Sequence, residues 1–155
     1  MRNLGVQPSS AESLLVKADI VSDTEIGVVT INTTATVAPG MTVSLGVGTY
    51  AIRLAACLYA AGAPALSMTV AFSGTQTAFS LLGMHCTNAV NPTITTGFSL
   101  GVAKSLGSIP TGGSFWAQFH GVITVTVSGT FTVSFTRTGG TTLSISSDSA
   151  FMKRV

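Results

Sequence analysis

The chain has 155 residues, only 8% of them charged, with a formal net charge of +2. Ordinary soluble domains carry about 25% charge, and 46% hydrophobic residues is the reverse of a disordered composition. The 23 Thr, 18 Ser, 17 Gly and 17 Ala exclude a coiled coil, which needs Glu, Lys and Leu in heptads, and the seven scattered cations make no footprint for nucleic acid.

Residues 1–17 read as an N-terminal arm. Leu4 and Val6 are the only apolar anchors ahead of Ser13, and Pro8 breaks the run. That is too little to close a core but enough to seat in a groove, so Leu4, Val6 and Pro8 are the candidate particle-attachment residues. Ser9 and Glu12 have the spacing of a helix capping box, and a strand through Val16–Val21 is a competing reading. The N-terminus lacks the apolar core of a signal peptide. The most apolar window, Tyr50–Leu66, is broken by Arg53, Gly62 and Pro64 and is too short for a membrane helix.

Residues 18–155 read as one domain whose dominant period is two, the period of strands with one buried face. Met41, Val43, Leu45 and Val47 form a first run. Tyr50, Ile52, Leu54, Ala56 and Leu58 then alternate with Ala51, Arg53, Ala55, Cys57 and Tyr59. Further runs are Leu66–Phe72, Phe98–Val102, Phe115–Phe119 and one from Leu143 to the end. Turn signals separate them at Pro39-Gly40, Gly62/Pro64, Ser73-Gly74, Asn91-Pro92, Thr111–Gly113 and Gly139-Gly140. In GVITVTVSGTFTVSFTRT, the parity of Ile123, Val125 and Val127 against Phe131, Val133 and Phe135 predicts a hairpin through Ser128-Gly129-Thr130 that pairs Val127 with Phe131. About eight such strands predict an all-β protein, an antiparallel sandwich or barrel.

The search for chemistry returns background. His85 and His120 are the only candidate bases, and no G-x-S-x-G elbow accompanies the serines. His85, Cys86 and His120 fall short of a zinc ligand set. Asp19, Asp23 and Glu25 lack the calcium-loop pattern and read as solvated carboxylates. Trp116, Tyr50 and Tyr59 each sit in an apolar run and read as core aromatics rather than sugar platforms. Cys57 and Cys86 read as buried free thiols, in keeping with assembly in a reducing cytoplasm. The expectation is therefore no enzyme, no cofactor, no metal, no nucleic acid and no membrane insertion. From Leu54 to Ala103 there are 50 residues without an acid, Lys or Arg. Soluble monomers intersperse charges over their surface, so this neutral stretch predicts cover by other subunits in a closed oligomer.

The C-terminal half, FHGVITVTVSGTFTVSFTRTGGTTLSISSDSAFMKRV, resembles a recurrent module of tailed-bacteriophage virion proteins. The matching residues are Gly121–Val127, Gly129–Arg137, Gly139-Gly140, and the tail positions Ser149, Phe151, Lys153 and Val155. Upstream, GTYAIRLAACLY and LSMTVAFSG are similar to the module's Gly-x-Tyr strand and its partner. The resemblance implies a jelly-roll sandwich of the tumour-necrosis-factor-like kind, assembled as a homotrimer on phage heads or tail fibres. Tyr50, Ile52, Phe131, Val133, Phe135 and Phe151 would then lie on its core and oligomer strands. It implies a virion structural protein (capsid decoration, cement or head fibre) bound to a capsid or other virion protein and assembled in the host bacterial cytoplasm. The alternative is a receptor- or carbohydrate-binding module of a tail fibre, with a host surface glycan as ligand.

Overall fold

A computed structural model describes residues 29–87, 90–140 and 142–155. The arm residues Leu4, Val6 and Pro8, and the carboxylates Asp19, Asp23 and Glu25, lie outside the described residues. Ten strands follow in chain order: β1 (Val29–Thr30), β2 (Thr36–Leu45), β3 (Gly48–Ala60), β4 (Ala65–Phe72), β5 (Thr75–Thr87), β6 (Val90–Thr95), β7 (Ala103–Ser108), β8 (Ser114–Val127), β9 (Gly129–Thr138) and β10 (Leu143–Arg154). They form a six-stranded sheet in the order β1-β10-β3-β8-β5-β6 and a four-stranded sheet in the order β2-β9-β4-β7. Every pairing is antiparallel, and no helix occurs among the described residues. The fold is thus all-β, a two-sheet sandwich with ten strands among the described residues, against about eight expected.

The period-two runs are strands because their apolar positions fill the space between the sheets. Tyr50, Ile52, Leu54, Ala56 and Leu58 of β3 are buried, and so are Phe131, Val133 and Phe135 of β9. They meet Phe115, Phe119, Ile123 and Val125 of β8 and Leu66, Met68 and Val70 of β4 in one core. Phe119 packs edge-on against Phe98, with ring centroids 5.6 Å apart. Phe98 belongs to the loop before β7, not to a strand over 98–102. Its side chain plugs the core although its backbone pairs with nothing in a ladder. Tyr50 keeps its hydroxyl satisfied by donating to the Gly46 carbonyl at 3.2 Å.

The expected Val127–Phe131 hairpin does not form. The faces are as expected, since Ile123, Val125, Phe131, Val133 and Phe135 are all buried, but β8 and β9 belong to opposite sheets. Val127 pairs with Thr75, and Phe131 pairs with Val43 and Phe72. The cause is a shared corner. β4 passes into β5 through Ser73-Gly74 at the same place where β8 passes into β9 through Ser128, so two already paired strands bend together from one sheet to the other. The Ser73 N–H donates to the Thr130 carbonyl at 3.1 Å, and the Thr130 N–H donates to Ser73 Oγ at 2.8 Å. A Cβ on Gly74 would strike the Val127 carbonyl oxygen, and one on Gly129 would strike the backbone of Gly74. Only glycines let these two chains approach so closely.

Three further expectations change. Residues 75–87, among which no alternating run is marked, form the long strand β5, which is apolar on both faces and carries Gly83 where the core has no room. A Cβ there would enter the Phe119 ring. Pro39-Gly40 is not a turn between strands but an irregularity within β2, where register shifts between Val37 and Thr42. Asn91-Pro92 likewise lies in β6, an edge strand, the one setting in which a sheet tolerates proline.

Candidate functional site

The two outer faces of the sandwich differ in chemistry. On the four-stranded sheet, register sets Thr42 beside Thr132 and Ala71, Thr69 beside Ser134, and Ser67 beside Thr136. This face is mostly hydroxyls, with Val37, beside Ser134, an exposed apolar residue among them. On the six-stranded sheet, register builds four cross-strand rows. Lys153, Ala51, Val122 and Ser80 make the first; Phe151, Arg53, His120 and Leu82 the second; Ala55, Gln118 and Met84 the third; and Cys57, Trp116 and Cys86 the fourth. Tyr59 follows opposite Ser114. Tyr59, Leu82, Met84, Trp116, Val122 and Phe151 are all exposed large hydrophobic residues. Contiguous apolar patches of this kind mark interaction sites on soluble proteins.

The charge on this face has one sign. Arg53 and Lys153 are exposed, and the only side-chain carboxylate among the described residues is Asp148, which is buried. The small residues beside Arg53 leave a hollow of about 230 Å³ lined by Arg53, Leu54, Ala55, Gln118, His120 and Phe151. Cys57 and Cys86 are half-buried free thiols on either side of Trp116. Two strand spacings, about 10 Å, separate them, beyond the reach of a disulfide.

A second hollow lies between the edges of the two sheets. His85, Cys86, Thr93 and Thr95 line it from β5 and β6, and Ser105–Ser108 line it from β7, around about 330 Å³. A bulge between His85 and Thr87 in the β5–β6 ladder turns this end of β5 toward it. His85 is buried, stacks on Phe115 at 5.1 Å and lies 3.4 Å from the Thr95 hydroxyl through Nδ1. Burial holds its pKa below the ordinary histidine value, partly offset by its hydrogen bond to the Leu106 backbone. Through these two contacts the ring ties β5, β6 and β7 together. Asp148 is the other buried titratable group. Burial raises its pKa, and the Gly40 N–H, donating to Oδ2 at 2.8 Å, partly counters that rise. This bond links β10 of one sheet to β2 of the other.

The sequence-derived site residues divide accordingly. Tyr50, Ile52, Phe131, Val133 and Phe135 are core residues, whereas Phe151 lies on the outer face. Trp116 and Tyr59, expected in the core, are 39% and 51% exposed. Cys57 and Cys86, expected to be buried, are only half so. His85 and His120 do not converge, because the first points between the sheets and the second to solvent. Among the described residues no group of three or more His, Cys, Asp and Glu is placed to hold a metal. Reading residue by residue missed Leu82, Met84 and Val122. Their signal was present: in β5 and β8 the apolar residues occupy both parities, which a strand with one solvated face does not show. Comparison with protein-family models, with curated proteins and with solved structures finds no match to the chain.

Proposed function

We propose that this chain is a structural subunit of a permanent assembly of the bacteriophage virion type. It is a jelly-roll sandwich that closes into a homotrimer and sits on the particle as capsid decoration, cement or head fibre, held there by its N-terminal arm. The observation that carries the assembly reading is the contrast between the outer faces, one covered with hydroxyls and the other apolar and free of carboxylates. A free monomer gains nothing from exposing Trp116, Met84, Leu82 and Tyr59 together. A subunit that buries them around a closed axis removes both the sticky face and the hazard of open sheet edges.

The strand order supports the jelly-roll form. The strands β1-β10-β3-β8 facing β2-β9-β4-β7 follow the double Greek-key sequence of an eight-stranded jelly roll, with β5 and β6 added beyond β8. The phage setting and the three-fold order rest on the resemblance of Gly121–Val155 to the virion module. Light scattering on the purified chain at micromolar concentration should give the mass of three subunits, and a stable monomer refutes the reading. Removal of residues 1–13 should leave the oligomer intact and abolish binding to particles; retained binding would remove the arm from the proposal.

A second reading, recognition of a host surface glycan at the tip of a fibre, is favoured by the uncharged, hydroxyl-lined cleft at Thr93, Thr95, Ser105 and Ser108. Location separates the two readings. Regular occupancy of capsid symmetry sites in a particle reconstruction supports decoration, and confinement to the tail supports recognition.

A further inference from the structure

The hollow at Arg53 is built by register on the outer face of the six-stranded sheet. Ala55 is its floor, because a methyl group is all that β3 puts there. Arg53 stands two residues away on the same strand, and so on the same face. β10 sets Phe151 opposite Arg53 on one side, and β8 sets His120 opposite Arg53 and Gln118 opposite Ala55 on the other. The flanking strands are two strand spacings apart, about 10 Å, so a single ring fits between Phe151 and the β8 side chains. The volume of about 230 Å³ agrees, since pockets for drug-sized ligands start at about 300 Å³. Among the described residues, the side chains of Arg53, Gln118 and His120 have no hydrogen-bond or ion-pair partner. Three polar groups from two strands thus line one small cavity with an aromatic wall.

We infer that this hollow binds a carboxylated sugar ring, such as a hexuronic acid of a surface polysaccharide. Arg53 carries a permanent charge and a planar fork of donors that grips a carboxylate bidentately. It is the one Lys or Arg among the lining residues, so it balances a carboxylate rather than a phosphate monoester, which carries close to two charges. A carboxylate alone would leave the rest of the site unused. The Phe151 ring offers an apolar wall for the C–H face of a pyranose, and the Gln118 amide, which both donates and accepts, suits its hydroxyls. The site is complete within one chain, so the inference does not depend on oligomerisation. Where copies do associate, it puts Arg53 at the rim of the interface. Among the described residues the sandwich has no exposed side-chain carboxylate to offer a neighbour's Arg53, and a guanidinium buried without a partner opposes association. The site is also distinct from the cleft at Thr93 and Ser105, whose lining has no Lys or Arg and which suits a neutral sugar.

Ligand-observed saturation-transfer NMR on the full chain tests this, with methyl glucuronide as the probe and methyl glucoside as the same ring without the charge. The glucuronide should receive saturation at its ring C–H protons. The glucoside should bind about tenfold more weakly or not at all, because the charge-assisted hydrogen-bond pair is lost. Arg53→Gln should weaken the glucuronide by a similar factor, and Phe151→Ala should reduce transfer to the ring protons several-fold. Both side chains are exposed, so both variants should fold, and thermal melting checks that they do. Lys153→Gln is the control, an exposed cation of the same face that does not line the hollow, and should leave binding unchanged. No transfer to the glucuronide, equal binding of the glucoside, equal loss in Lys153→Gln, or displacement by equimolar acetate would each overturn the assignment. Displacement by a tri-glutamate peptide below the glucuronide concentration would overturn it too, by showing an acidic protein as the partner. Light scattering on the same samples keeps site and assembly apart: a monomer that binds the glucuronide refutes the trimer and not the site, and a trimer that does not bind it refutes the site alone.

Discussion

If the proposed assembly closes on the apolar face, Trp116→Glu should dissolve it without unfolding the subunit. Six side chains on the outer face, Tyr59, Leu82, Met84, Trp116, Val122 and Phe151, still expose between 36% and 51% of their surface. At roughly 200 Å² for each large side chain this leaves about 500 Å² of largely apolar surface on each subunit. Burying it is worth about 12 kcal/mol at about 25 cal/mol per Å², against an association cost of about 4–15 kcal/mol. Such an interface holds at micromolar concentration only if most of the patch contributes. Trp116, 39% exposed between Cys57 and Cys86, accounts for about 100 Å², or about 2.5 kcal/mol. A glutamate in its place also brings a charge that must be desolvated when the face closes. The dissociation constant should therefore rise more than a hundredfold.

The fold should survive, because the side chain points away from the core and its strand partners are unchanged. Sedimentation or light scattering over a concentration series reads the assembly, and thermal melting reads the subunit. Thr132→Glu, on the hydroxyl-covered face of the four-stranded sheet between Thr42 and Ala71, is the control and should leave the oligomer unchanged. If Thr132→Glu dissociates the assembly and Trp116→Glu does not, the wrong sheet has been identified. If neither does, the apolar face is not the interface.

Gly83→Ala should destabilise by about 1–3 kcal/mol, as overpacking does, because the new Cβ enters the Phe119 ring and Phe119 is fully buried against Phe98. Phe119→Leu in the Gly83→Ala background should recover part of that loss, and simple additivity of the two substitutions in denaturant titrations would show that the two sites do not meet. His85 predicts a stability loss on the acid side. Its folded pKa is lowered, so below about pH 6.5 the unfolded chain binds a proton that the folded chain refuses, with a slope of at most about 1.4 kcal/mol per pH unit. Asp148 acts oppositely: its raised pKa means that stability falls as pH rises from 3.8 through the folded value. His85→Gln should flatten the first trend between pH 7 and 5 in denaturant titrations, and an unchanged profile would remove His85 as its source.

Alternation made the buried face legible in the strands that alternate, because side-chain parity is a local property of an extended chain. Ile123, Val125, Phe131, Val133 and Phe135 all fall inside as their spacing demands. Strand partners were not legible, because parity fixes which side a residue faces and not which strand lies beside it. Val125 and Val133 satisfy the same parity whether they are neighbours in one sheet or belong to facing sheets. The choice is made at Gly74 and Gly129, which are far apart in sequence and informative only once the two chains are seen to bend together. β5 was hidden for a related reason. Apolar residues on both parities, with Gly83 and His85 at inward positions, leave no alternation to read.

The same blurring of pattern that hid β5 is what marks the interaction face. A strand with one solvated side must alternate, so a strand that fails to alternate while lying in the middle of a sheet has a second surface to cover. β5 is such a strand, β8 breaks its chemical alternation at Trp116 and Val122, and the two are adjacent. Leu82 and Met84 stand on one, and Trp116 and Val122 on the other. On the opposite sheet, β9 keeps strict alternation, with threonine or serine at positions 130, 132, 134 and 136, and its outer side needs only water. The division between the hydroxyl-rich face and the apolar face is therefore written in which strands lose their period. The run of neutral residues from Leu54 to Ala103 does not reveal it, because charge along the chain mixes the two faces. That neutral stretch runs through both sheets, and its apolar surplus collects on only one of them.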